Sequence, residues 1–503
     1  MKKLIFLSAI LFSMTSFSLE TFFCSPELES FPILEGGRIK PLYVTAEESL
    51  KFLVGKQKTE GLTRTQMYCL LSLKDVLKRD DLGLKLKIEH VKIQEILGLS
   101  DKDPEITYEK LHANSQEIRF AMVREKGETS LKKALEKLLN QLHLYDQITR
   151  GEHWVLPRKT DGKIEWIPMM SYFTEEDFKN SPSQAALFEK IKENFISVQG
   201  YNYLFELKFL KLNLPSWALL FTSLALISLV VFKNFNIVLG FTSLTFFTQM
   251  ALMICRIMIS GRAPVTNMYE TVMFSGFGSL LLGVLLGHFL KEKIYVYLGL
   301  AYNMCTLLML NFASGLISAS ISPLVPVLRD NFWLSTHVTS VVLSYGGLAL
   351  SWILANVVII RKRFFSLSSA EETYYSKIIY NCIKFGATLL FFGIMLGGVW
   401  ADYSWGRFWG WDPKETWSLI VFCIYMAILH GKYTTWLPTK NFIPAVAIAF
   451  LSVMMAWFGV NYILAAGLHS YGFSQGGAFF LATFFIIQIL LVVGTRSFKF
   501  GNK

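Results

Sequence analysis

Residues 216–232 read SWALLFTSLALISLVVF, a run without one ionisable side chain, opened by Pro215 and closed by Lys233. It comes close to the roughly 20 residues that carry a helix across the hydrocarbon core of a bilayer. Eight further apolar runs follow, at about 237–259, 271–290, 294–317, 338–360, 384–400, 416–430, 442–463 and 476–495. Nine in series cannot share one water-soluble core, and in lipid each must satisfy its own backbone as a helix. Residues 214–503 therefore read as an all-α polytopic integral membrane domain of about nine transmembrane helices. Eight spans is the alternative, because the run at 416–430 is the shortest and depends on its flanks.

Upstream of Pro215 the composition is different. Residues 1–213 hold 31 Lys and Arg against 30 Asp and Glu, whereas residues 214–503 hold 18 against 8. The whole chain is 52% hydrophobic and 17% charged, below the roughly 25% charge of an ordinary soluble protein. The net charge of +11 thus sits almost wholly between apolar runs. That placement argues against a nucleic-acid partner, which needs a polar basic face, and points to membrane lipid.

The first residues run Lys2, Lys3, an apolar stretch from Leu4 to Phe12, then Ser16-Phe17-Ser18. This is the order of a signal peptide, assigned to residues 1–18, with a retained anchor as the alternative. Residues 19–213 then form an N-terminal extracytoplasmic domain. It reads as mainly helical, because Met67, Leu70, Leu71, Val76 and Leu77, and again Leu131, Ala134, Leu135, Leu138, Leu139 and Leu142, recur at helical steps. Gly36-Gly37 and Asp161-Gly162 mark turns between short strand-like runs. His90, His112, His143 and His153 stand singly on polar stretches and read as surface histidines. No CxxC pair is present, and Cys24 and Cys69 alone lie in the exported part, where an oxidising compartment allows them to pair.

Charge gives the orientation. With the N-terminal domain outside, nine spans leave 13 of the 18 basic residues of the membrane domain on the cytoplasmic side or at that boundary. Only Arg256, Arg262, Arg329, Arg407 and Lys414 face the other way. This is the positive-inside asymmetry.

Function is then to be sought in the outer loops. Residues 400–417 carry five of the chain's 12 tryptophans: Trp400, Trp405, Trp409, Trp411 and Trp417. An interfacial aromatic belt is one explanation. The clustering, with Gly406 and Gly410 letting the backbone turn among the rings, instead suggests a shelf for a large flat apolar ligand, with Arg407 and Lys414 for its anionic substituents. Each adjoining outer loop adds one histidine, His337 and His469. Two imidazoles on opposite faces of a flat macrocycle would hold a haem iron. Asp412, followed by Pro413, reads as a helix cap and not as a proton donor.

The string Trp405-Gly-x-x-Trp409-x-Trp411-Asp412-Pro413-Lys414-Glu415-Thr416-Trp417 resembles the WWD signature of haem-handling proteins in cytochrome c maturation. With one flanking histidine on each side it is similar to the CcsA (ResC) branch, as is Pro264-Val-Thr-Asn267-Met-Tyr269-Glu270. The resemblance covers roughly residues 237–495. It implies that His337 and His469 ligate haem b, the substrate in transit, against Trp405, Trp409 and Trp411. It also implies a site within the membrane for His430. Similar depth at the cytoplasmic ends of the third and seventh spans makes His288 a local alternative for its second ligand, the other reading being a helix-end cap beside Lys291. A CcsB (ResB) type membrane subunit and apocytochrome c are the implied partners. The implied function is presentation of haem for thioether attachment to CxxCH, as a subunit of a cytochrome c haem lyase, in a bacterial inner membrane. A haem transporter or chaperone without ligase activity is the alternative.

Overall fold

A computed structural model describes residues 24–55, 61–77, 82, 84–100, 102–125, 130–173, 181–323, 330–464 and 477–497. The signal-peptide assignment falls outside these residues. The chain forms two compact units, Met1–Leu212 and Asn213–Lys503.

The first unit packs helices, chiefly Leu42–Val54, Arg64–Ser72, Ser130–Thr149 and Ser181–Gln199, around three antiparallel ribbons. These pair β1 (Pro32–Glu35) with β2 (Arg38–Pro41), β3 (Lys85–Lys87) with β4 (Glu105–Thr107), and β5 (Val155–Thr160) with β6 (Lys163–Pro168). The turns at Gly36-Gly37 and Asp161-Gly162 put both central residues at positive φ, the geometry that matches the twist of a two-residue hairpin. Cys24 and Cys69 form a disulfide, both buried, closing 45 residues.

His153 departs from the sequence-based expectation of a surface position, since only 13% of its side chain is exposed. Its Nδ1 lies 2.7 Å from the Tyr68 hydroxyl, and its Nε2 faces the Glu35 carboxylate at 3.7 Å. Burial holds the imidazole below its usual pKa, although Glu35 pulls the other way. Burial also works to raise the Glu35 carboxyl, but Lys40, Thr45 and His153 outweigh it and leave the group below the ordinary carboxylate range. One histidine alone in sequence is thus the middle of a buried polar chain.

The second unit contains nine helices long and apolar enough to cross a membrane among the described residues. In order they are α1 (Leu214–Val231), α2 (Phe235–Ser260), α3 (Met268–Phe289), α4 (Ile294–Phe312), α5 (Asn331–Phe364), α6 (Ser369–Trp405), α7 (Pro413–Tyr433), α8 (Thr439–Leu464) and α9 (Gly477–Ser497). The short run at 416–430 is completed by its flanks into the 21 residues of α7. The run at 384–400 is only the middle of a 37-residue helix that a Ser368–Glu371 capping box starts and Gly406, at φ 67°, ends. The tryptophan-rich loop expected at 400–417 is accordingly reduced to residues 406–412.

Helix α5 is the hub, packing against α3, α4, α6 and α8. Close approach there depends on small residues, as between membrane helices generally. A Cβ built on Gly347 of α5 would lie 3.2 Å from the Cα of Gly386 on α6. Polar side-chain pairs add to the seams: the Gln249 amide donates to Asn303 at 2.6 Å, and the Trp352 indole donates to Gln488 at 2.8 Å. Among the described residues the two ends of the bundle differ. Lys233, Lys291, Lys293, Arg361, Lys362 and Arg363 flank the helices at one end, and the tryptophans collect at the other.

Candidate functional site

At the tryptophan end, α3, α5, α6, α7 and α8 enclose a cavity of about 150 Å³. One wall is the segment Val265–Met268 leading into α3. It is fixed by a buried ion pair: Arg256 Nη2 donates to Glu270 Oε1 at 2.7 Å, with the two side chains 3% and 1% exposed. The other carboxylate oxygen accepts from Thr266 N at 2.9 Å and Thr266 Oγ1 at 2.7 Å. Arg256 also donates to the Ala319 carbonyl at 3.1 Å, and Asn267 to that of Ser320 at 3.2 Å. A charge pair this dry is stable only when its remaining hydrogen-bonding positions are satisfied, as here, so the wall is rigid.

His337 enters from α5, where Leu334–Val338 form a π-helical turn. Its Nδ1 donates to the Gly393 carbonyl of α6 at 2.8 Å. A carbonyl only accepts, so this bond selects the tautomer with its lone pair on Nε2, the arrangement that orients a metal-binding imidazole. The ring lies against Gly397, where an added Cβ would come within 2.8 Å of Nδ1. It meets Trp400 edge-on, centroids 5.8 Å apart. The second π-helical segment, Met455–Leu464 of α8, supplies Ala456, Trp457 and Asn461 to the cavity lining.

The loop at 406–412 is held by Glu415 and capped by Asp412. Glu415 Oε2 accepts from Gly410 N at 2.7 Å and Asp412 N at 3.2 Å, and Asp412 accepts from Lys414 N at 2.8 Å. Arg407 pairs with Glu415 at 3.4 Å and lies over Trp405 at 5.6 Å. Trp405, Trp409 and Lys414 line the cavity, and Lys414 Nζ reaches Asn461 Oδ1 at 3.4 Å.

The cavity therefore differs from the shelf expected in sequence at two positions. Trp411, at φ 58°, is 70% exposed, touches Trp409 edge-on and does not line it. Arg407 is a brace of the loop, leaving Lys414 as the cavity-lining cation among the described residues. Trp400, counted in the tryptophan cluster, lines the cavity, as do Trp457, Asn461 and Thr271, which were not singled out; Trp457 donates to Thr271 Oγ1 at 3.2 Å. Their signal was the rarity of polar and Trp positions in apolar runs at this end.

His430 lies near the other end of α7, exposed, with Nδ1 donating to the Met426 carbonyl at 2.8 Å. His288 is exposed near the end of α3, and α3 and α7 do not pack along one another. His469 lies outside the described residues.

Residues 265–469 match the Cytochrome C assembly protein family. The chain is 33% identical over 268 residues to the cytochrome c biogenesis protein CcsA of Guillardia theta, covering 48% of this chain and 87% of that protein. It is 36% identical over 225 residues to CcsA of Chlamydomonas reinhardtii, covering 42% and 62%. Against protein NrfI of Wolinella succinogenes it is 34% identical over 230 residues, 44% of this chain and 24% of that one. With a helical bundle of the expected kind and a match over most of the Guillardia protein, this chain belongs to the CcsA family of cytochrome c biogenesis proteins.

Proposed function

We propose that the cavity receives haem b and presents it for covalent attachment to apocytochrome c. The observation that carries this reading is His337: an imidazole at a cavity wall, its tautomer selected by the Gly393 carbonyl at 2.8 Å, beside Trp400, Trp405 and Trp409. At about 150 Å³ the cavity is smaller than the roughly 300–1,000 Å³ that buries a whole ligand. A macrocycle would thus enter by one edge, with its iron facing His337 and its other face available to His469.

The protein's part is positioning and exclusion of water. The CxxCH cysteines of the apocytochrome add S–H across the two haem vinyl groups, each sulfur bonding to carbon and each proton passing to the neighbouring vinyl carbon, so no oxidant is consumed. The apocytochrome histidine then displaces one axial ligand. His430 serves a separate stage. It is 13 residues from Trp417 along α7, roughly 20 Å at 1.5 Å per residue, too far to share one iron with His337. A CcsB-type subunit would fit the exposed position of His430, and the positive-inside rule supports a reading in which the basic end is cytoplasmic and the tryptophan end faces the periplasm across a bacterial inner membrane.

The test is haem occupancy and cytochrome maturation in cells carrying His337→Ala, His469→Ala or His430→Ala with the partner subunit. Both should fall in the first two and be partly restored by free imidazole. Haemin added from outside should refill His430→Ala but not the His337, His469 double variant. Full maturation in the double variant would exclude the reading. Haem binding without covalent product would leave a transporter.

A further inference from the structure

Two indole N–H groups at the cavity have no acceptor in the protein among the described residues: Nε1 of Trp400 and Nε1 of Trp409, both buried. Trp400 is 7% exposed, packs with Val265 and Leu334, meets the His337 ring edge-on and lines the cavity. A buried donor left unmatched costs free energy, and native structures rarely contain one without a reason. Trp400 and Trp409 line the same cavity as the Lys414 ammonium and the Glu415 carboxylate, and Glu415 accepts from Gly410, Asp412 and Arg407 and not from either indole, so both indole donors are left for a ligand.

We propose that Trp400 and Trp409 donate through their indole nitrogens to a carboxylate of the bound ligand, so that the cavity selects the carboxylate-bearing edge of a flat macrocycle. This deepens the haem reading of the same site and rests on it. Indole is suited to the task because it is donor-only: it satisfies an anion without competing for the iron, and its ring continues the apolar wall. Lys414 adds charge, and the two N–H groups add direction. Holding the carboxylate edge inside would turn the remainder of the ring system, with its reactive vinyl substituents, toward an incoming thiol.

The experiment titrates the detergent-purified full chain with haemin and with haemin dimethyl ester, in which both carboxylates are methylated, following the Soret band. The variants are Trp400→Phe, Trp409→Phe and their combination, which keep an aromatic ring and remove the donor. A hydrogen bond to a charged group is worth about ten- to a hundredfold. Wild-type protein should therefore prefer haemin to the ester by at least about tenfold, and the double variant should lose that preference while binding the ester within about twofold of wild type. Equal loss of haemin and ester in the double variant, with an unchanged thermal unfolding midpoint, would overturn the proposal and make the rings stacking partners only. Unchanged haemin binding in the double variant would overturn it as well. Failure of the wild-type chain to bind either ligand, or binding indifferent to His337→Ala, would instead remove the haem reading beneath it.

Discussion

Gly397→Ala tests the imidazole's seating without touching the imidazole. The new Cβ would stand 2.8 Å from Nδ1 of His337 and nearer still to Cε1, whereas ordinary contact begins near 3.4 Å. The ring must then retreat by about 0.6–1 Å. A retreat of that size takes its 2.8 Å bond to the Gly393 carbonyl to the edge of hydrogen-bonding range, about 3.5 Å. Loss of the group that orients a metal-binding histidine typically costs about 10- to 100-fold in affinity. Stability should move little, because replacing a helix-interior glycine by alanine gains about 1 kcal/mol, which offsets the lost bond of about 1 kcal/mol. The assay is haemin titration beside a thermal unfolding scan of the purified protein. The expected result is weaker haemin binding at an unchanged midpoint, with no additional loss when Gly397→Ala is combined with His337→Ala. Wild-type affinity in Gly397→Ala, or full additivity in the double variant, would refute the link between ring position and binding.

Glu270→Ala should destabilise the membrane unit by about 3–5 kcal/mol, because it strands the buried Arg256 charge; an unchanged unfolding midpoint would contradict this. Replacing Cys24 and Cys69 by Ser opens a 45-residue loop and should cost the first unit about 4 kcal/mol by chain entropy, read as earlier urea unfolding and faster proteolysis. His153 gives a pH dependence. Its folded pKa is depressed below the ordinary 6.5, so its contribution is complete above that value and lost as pH falls through the lower folded one. His153→Gln should flatten the pH dependence of the first unit's stability just below pH 6.5, and a slope equal to wild type would refute the assignment.

The bundle was legible because lipid leaves a helix no other way to satisfy its backbone, so apolar length alone located α1 through α9. Ends were less legible. Helix α6 runs to Trp405 because Gly406 can adopt a left-handed conformation there, which shortens the loop and carries Trp400 onto a helix facing His337. Hydropathy cannot distinguish a tryptophan at a helix end from one in a loop. Trp411 and Arg407 illustrate the same limit: type and spacing put them beside the other rings, but the positive φ at Trp411 and the ion pair at Arg407 decide which side chains enter the cavity. His153 was opaque for another reason. Its partners, Tyr68 and Glu35, are remote in sequence, and only the folded core brings the three together.

The π-helical turns at Leu334–Val338 and Met455–Leu464 change the phase of the helices that contain them. Each surplus residue rotates what lies beyond it by about 100° relative to a continuous α-helix of 3.6 residues per turn. A single helix can therefore follow one stripe of contacts along the bundle and a different stripe around the cavity. In α5 the first stripe holds the glycine seam with α6 and the second delivers His337; in α8 the second delivers Trp457 and Asn461. Removing one residue from either turn would preserve the span and its hydropathy while turning the cavity-facing side chains off target. Single-residue deletions there should thus separate membrane insertion from ligand binding more cleanly than any substitution within the cavity.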